Sequence, residues 1–139
     1  MARVNINESV AASADDVWRV LSDFGGIEPN EMIAGCTVEG DGVGAVRTIA
    51  LKSGGEVVER LESQDDDARI FSYAIINDSP LPVKNYVATV AIVDDGPGSA
   101  RVDWTGNFEP SGAPEDEVVK LIQGVYRAGV QRARNKLGI

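Results

Sequence analysis

Between residues 36 and 109 the chain is cut by five clusters of turn-forming residues: Gly40-Asp41-Gly42, Ser53-Gly54-Gly55, Asp65-Asp66-Asp67, Asp78-Ser79-Pro80 and Asp95-Gly96-Pro97-Gly98. The segments they separate, 36–40, 44–52, 55–64, 69–77, 84–94 and 99–109, are rich in β-branched and aromatic residues and read as strands. Breaks this short join antiparallel neighbours, because a parallel connection needs a crossover of about a dozen residues. Residues 3–10 alternate as well, with Val4, Ile6 and Val10 opposite Asn5, Asn7 and Ser9, and supply a seventh strand.

Two stretches follow a different period. Ser13 precedes Ala14-Asp15-Asp16 as an N-cap with acidic residues in the first turn, and Val17, Trp18, Leu21 and Phe24 follow at helical spacing until Gly25-Gly26. Residues 29–34, from Pro29 to Ala34, fit a second short helix. After Pro110-Ser111-Gly112, Pro114 and the acidic Glu115-Asp116-Glu117 open a long amphipathic helix. Its apolar face is Val118, Leu121, Ile122, Val125, Tyr126, Gly129, Val130, Ala133 and Leu137, and its last turns carry Arg127, Arg132, Arg134 and Lys136, as a helix C-terminus prefers. The expected fold is α+β, one domain over residues 1–139: a curved seven-stranded antiparallel sheet gripping the C-terminal helix, with one or two short helices after the first strand. A curved sheet and a straight helix do not match in curvature, so an apolar cavity is expected between them.

The polar residues that fall on the apolar side of a strand are the informative ones. Arg47 shares a face with Ile49 and Leu51, and Glu59 with Val57 and Leu61, while Arg60 and Glu62 point the other way. Arg47 and Glu59 lie on adjacent strands of opposite direction, so an inward ion pair is expected, either a structural closure or a functional acid/base. The other inward residues are Phe71, Tyr73 and Ile75, then Tyr86, Ala88, Val90 and Ile92, then Val102, Trp104 and Phe108. Tyr73, Tyr86, Trp104 and Tyr126 either line a pocket or fill the core.

Much chemistry is excluded. The net charge is −9 over 139 residues, which repels nucleic-acid phosphates and anionic lipid. The sequence has no histidine and a single cysteine, Cys36, so imidazole-based triads, an intrachain disulfide and a cysteine zinc site are all absent. Gly40-Asp41-Gly42-Val43-Gly44 lies between two strands and reads as a hairpin turn, not a phosphate cradle. Asp65-Asp66-Asp67 reads as a solvated turn. No metal, flavin or nicotinamide is expected, and neither a signal segment nor an apolar run of membrane-spanning length is visible, so the expected setting is the cytoplasm, without stable membrane insertion. Nothing in the sequence specifies an oligomeric state.

Taken together, Ser13-Ala14-Asp15-Asp16-Val17-Trp18, Ser22-Asp23-Phe24, Gly44-Ala45-Val46-Arg47, Val58-Glu59-Arg60-Leu61, Ser72-Tyr73, Asn85-Tyr86 and the long final helix resemble the START/birch-pollen-allergen superfamily. Residues 44–90 look most like its polyketide cyclase/dehydrase branch, near the lachrymatory-factor synthase and the plant abscisic-acid receptors. The resemblance implies a helix-grip fold around a hydrophobic pocket. It implies catalytic roles for Glu59 and Arg47 and a pocket role for Tyr86, the third catalytic candidate; the inward set Tyr73, Trp104, Phe71, Ile122 and Tyr126 supplies the candidate ligand contacts. The chain departs from the receptors at Ala34, where they carry a lysine for the ligand carboxylate, at the shorter Ser53-Gly54-Gly55 turn, and around Ser79-Pro80-Leu81-Pro82. Near Ile27-Glu28-Pro29 it lacks a tryptophan found in many relatives, which changes one pocket wall. The expected function is binding of a hydrophobic or amphipathic small molecule, with cyclase/dehydrase-like turnover on a Glu/Arg pair as its enzymatic form. The alternatives are a non-catalytic lipid or small-ligand carrier and a protein-interaction module without an open cavity.

Overall fold

The computed structural model describes every residue from Met1 to Ile139. Its elements are β1 (Ala2–Val10), α1 (Ala14–Leu21), β2 (Ile33–Glu39), β3 (Val46–Leu51), β4 (Glu56–Asp65), β5 (Ile70–Ile75), β6 (Val83–Asp94), β7 (Ala100–Pro110) and α2 (Glu115–Leu137). All seven strands form one antiparallel sheet in the order β1-β7-β6-β5-β4-β3-β2. The meander runs unbroken from β2 to β7, and β1 joins its far edge by pairing with β7 from Ala2 opposite Phe108 to Val10 opposite Ala100.

Local chemistry sets the element ends. The Ser13 hydroxyl accepts the Asp16 N–H at 3.1 Å and starts α1. Asp15 is thereby left free to take Arg69 at 2.7 Å, which ties the helix start to the β4–β5 turn. In that turn the Asp65 carboxylate accepts the N–H groups of Asp67 and Ala68, so the acidic run is a side-chain-capped turn. The helix expected over 29–34 does not form. The Asn30 side chain accepts the N–H groups of Met32 and Ile33 in a turn, and Ile33 then pairs with Leu51 as the start of β2. Sheet pairing outweighs the weak helical signal of so short a segment. Similarly, α1 ends at Leu21, short of Phe24.

The main core lies between the concave face of the sheet, α1 and α2. Val118, Ile122, Tyr126, Gly129, Val130 and Ala133 form the buried stripe of α2, which rests on β1, α1 and β7. Leu121 and Val125, assigned by spacing to the same stripe, lie on its flank and remain 39% and 37% exposed. A second, smaller cluster sits toward the β2–β3 edge: Ile27, Ile49 and Val57, with half-buried Ile33, Cys36, Leu51, Ile75 and Leu81 around them.

Candidate functional site

Arg47 and Glu59 face each other across β3 and β4, in a row that continues from Val38 on β2 to Ile75 on β5. Each is followed two residues away by apolar side chains of the same face, so the pair stands between the two apolar clusters. Ala45 and Leu61 lie on the main-core side, Ile49 and Val57 on the other. They are the two charged residues buried in the protein, at 6% and 7% exposure. Arg47 Nε and a terminal guanidinium nitrogen both reach Glu59 Oε1 at 2.7 Å, and the other terminal nitrogen donates to the Phe24 carbonyl at 3.1 Å. The guanidinium carbon lies 4.1 Å from the Phe24 ring centre and 5.0 Å from that of Tyr73. The cation is therefore held on several sides, which offsets the cost of burying it. Glu59 Oε2 accepts no hydrogen bond from the protein and is not sealed from solvent, so it is free for another partner.

Around this pair stand the chain's three tyrosines, all of them buried or nearly so. The Tyr86 and Tyr126 hydroxyls hydrogen-bond to each other, and Trp104 Nε1 donates to the Tyr73 hydroxyl at 3.2 Å. Trp104 stacks on Tyr126 with ring centres 4.7 Å apart, and Tyr73 and Tyr86 meet at 6.3 Å. Two glycines make this possible. A Cβ at Gly106 would overlap the Tyr126 hydroxyl, and one at Gly129 would come within 2.7 Å of the Trp104 ring. Tyr86 faces inward in step with Ala88, Val90 and Ile92, and just before it β6 carries a bulge, where the register shifts between Lys84 and Val87 and Asn85 takes φ +52°. Burial raises the pKa of all three tyrosines, and the nearby Glu59 charge adds to the effect at each. At neutral pH they are hydrogen-bonding phenols.

The residues singled out in the sequence thus lie together in the core. Arg47, Glu59, Tyr73, Tyr86, Trp104 and Tyr126 form one buried polar and aromatic constellation. Phe71 joins it at one side, stacked on Tyr73 at 6.2 Å and packed beside Trp18 of α1 at 5.8 Å, and Ile122 lies in the same main core.

The sequence matches the family described as polyketide cyclase / dehydrase and lipid transport over residues 1–138. The chain belongs to that family. Among solved structures, it is similar to the protein XoxI from Bacillus cereus, at 27% identity and TM-score 0.85, over 98% of this chain and 95% of that one. A Thermobifida fusca protein is 30% identical with TM-score 0.73, over 96% and 91% of the two chains. Norcoclaurine synthase from Thalictrum flavum, solved in complex with dopamine and hydroxybenzaldehyde, shares the fold at 24% identity and TM-score 0.74, over 98% and 85%. No curated protein matches the sequence.

In this member of the polyketide cyclase/dehydrase family an open cleft of about 810 Å³, lined mostly by polar residues, lies outside the apolar space expected between sheet and helix. The aromatic side chains there pack against one another. The cleft opens farther along, between residues 28–32 of the α1–β2 loop and residues 128–136 of α2. Arg132 lines it. Burial lowers the Arg132 pKa first of all and the Arg47 charge lowers it further, while Tyr73, Cys36 and Glu28 act the other way. Cys36, on β2 of the small cluster, has its thiol pKa raised chiefly by burial, against the charge of Arg47. In sequence Arg132 is one of several cations in the last turns of a helix. The signal that distinguishes it is helical spacing, which puts it in line with Leu121, Val125 and Ala128 beside the buried stripe.

Proposed function

We propose that the protein binds a small hydrophobic or amphipathic molecule on the concave face of the sheet, beside the small cluster of Ile27, Ile49 and Val57 and reached through the 28–32 cleft. Arg47 and Glu59 stand at the inner end of this site. The observation that carries the reading is a buried carboxylate, on an otherwise apolar face, with one oxygen held by Arg47 and the other free. A purely structural pair gains by satisfying both oxygens, whereas a ligand or a reacting proton needs one left over. Family membership supports the reading, as does a fold that holds two small aromatic molecules in norcoclaurine synthase.

The same free oxygen favours an enzymatic form of this function. Glu59 would move a proton to or from a carbon next to a carbonyl or similar group, Arg47 would fix the carboxylate and stabilise negative charge, and Tyr86 would donate a hydrogen bond. Phe71, Tyr73, Trp104, Ile122 and Tyr126 would then shape the inner wall. Native mass spectrometry of the purified protein, with titration of the uncharged apolar fluorophore N-phenyl-1-naphthylamine, tests binding. Retention of a small molecule or saturable fluorophore binding is the expected result. A bare chain that ignores the fluorophore would favour a protein-interaction module. Once a ligand is in hand, Glu59→Gln separates the two forms: an enzyme loses turnover and keeps its ligand, while a carrier has no turnover to lose.

A further inference from the structure

Of the four cations in the last turns of α2, three are neutralised or anchored. Arg127 and Arg134 reach Glu8, Arg134 also donates to the Ser9 carbonyl, and Lys136 takes the Gly26 carbonyl and Glu28. Arg132 and Lys136 both line the cleft, but Arg132 alone of the four has no ion-pair or hydrogen-bond partner. Glu28 and Glu31 also line the cleft, but both are exposed, Glu28 is engaged by Lys136, and neither lies within ion-pair distance of Arg132. Its half-buried guanidinium has five donors and no protein acceptor, and its nitrogens keep contact with solvent, so an oxyanion can reach them. On the same flank of α2 are the exposed apolar residues Leu121 and Val125, so charge and apolar surface adjoin.

We infer that the ligand of this site carries an anionic head, a carboxylate or similar oxyanion, held by Arg132 at the 28–32 cleft, with its apolar body directed toward the small cluster. The inference rests on the binding function proposed above and adds the ligand's charge and orientation. Burial lowers the Arg132 pKa, but an arginine remains charged at neutral pH. In a protein of net charge −9 such an anion is held by local contact rather than by the overall field.

Two fluorophores of similar shape test this: 8-anilinonaphthalene-1-sulfonate, which bears an anion, and N-phenyl-1-naphthylamine, which does not. The quantity measured is the ratio of their affinities. Arg132→Gln should lower the ratio for the sulfonate about tenfold or more, the loss expected for a charge-assisted contact. Arg132→Lys should restore most of it, and Lys120→Gln, an exposed cation on the same helix, should leave it unchanged. Without any variant, the Arg132 Nε–H resonance of the wild type should shift with the sulfonate and not with the amine. Binding of the uncharged fluorophore with an equal ratio in wild type and Arg132→Gln, and a silent Arg132 resonance, would overturn the anionic head and leave the cavity standing. Failure of both fluorophores to bind the wild type would overturn the cavity, and the anionic head with it.

Discussion

Replacing Arg47 with alanine removes two hydrogen bonds, at 2.7 Å to Glu59 Oε1 and 3.1 Å to the Phe24 carbonyl, and a second ion-pair contact to Oε1 at 2.7 Å. It also empties the space beside the Phe24 and Tyr73 rings. The larger effect is on what remains, because Glu59, only 7% exposed, is left as a carboxylate without its counter-ion. Breaking a buried pair in this way costs about 3–5 kcal/mol. For a chain of this length that corresponds to a fall in Tm of about 10 °C or more. Arg60 is the natural comparison, since it lies next to Glu59 on the opposite face of β4 and pairs only with Glu62 two residues along, at 3.0 Å, in solvent. Arg60→Ala should leave the melt unchanged within scatter. Arg47→Met combined with Glu59→Leu removes both charges, keeps the volume, and should recover most of the lost stability. Thermal melts followed by circular dichroism read all three. An Arg47→Ala melt that coincides with that of Arg60→Ala would refute the reasoning, as would a double variant no more stable than Arg47→Ala.

Tyr73, Tyr86 and Tyr126 are the chain's only tyrosines, and burial raises the pKa of each. The fold therefore favours their protonated form, and stability present below the unfolded-chain value of about 10 is lost as pH rises above it, by about 1.4 kcal/mol per tyrosine per pH unit. Near-ultraviolet tyrosinate absorbance should thus appear only in step with unfolding; a smooth rise at about pH 10, the free-phenol value, in still-native protein would contradict the buried cluster. Gly124 and Gly129 both lie in α2, but a Cβ meets nothing within 4 Å at Gly124 and the Trp104 ring at 2.7 Å at Gly129. Gly124→Ala should stabilise by up to about 1 kcal/mol through helix propensity, whereas Gly129→Ala should destabilise, and equal gains in chemical denaturation would show that the Trp104 contact is loose. Asn85 sits at φ +52° in the β6 bulge, so Asn85→Val should destabilise and Asn85→Gly should not, a contrast that equal melts would remove.

Alternation made most of the fold legible. Period-two patterning identifies the strands, and the same parity sends Arg47 and Glu59 inward while leaving Arg60 and Glu62 outside, as the structure has them. Their partnership was readable because consecutive strands in a meander are neighbours and the β3–β4 turn is short. The 29–34 segment misled because a proline and a few apolar residues state only a local preference. Whether Ile33 ends a turn or continues a helix is decided by Leu51, eighteen residues away (51 − 33), through sheet pairing.

The location of the cleft is a different kind of unknown, because it depends on where a helix comes to rest. The buried stripe of α2 is set by spacing, but its seat on β1, α1 and β7 follows from which side chains fit closest. Gly129 lets the helix come down onto Trp104, and Gly106 admits the Tyr126 hydroxyl, so the aromatic end closes. In sequence both residues look like ordinary losses of helix or strand propensity. Once that end is closed, the mismatch between curved sheet and straight helix is displaced toward the other end of α2. There Arg132 has no partner and the 28–32 loop forms the opposite wall. Arg47 and Glu59, between the filled aromatic cluster and the half-open aliphatic one, mark where the closed region ends and the proposed site begins.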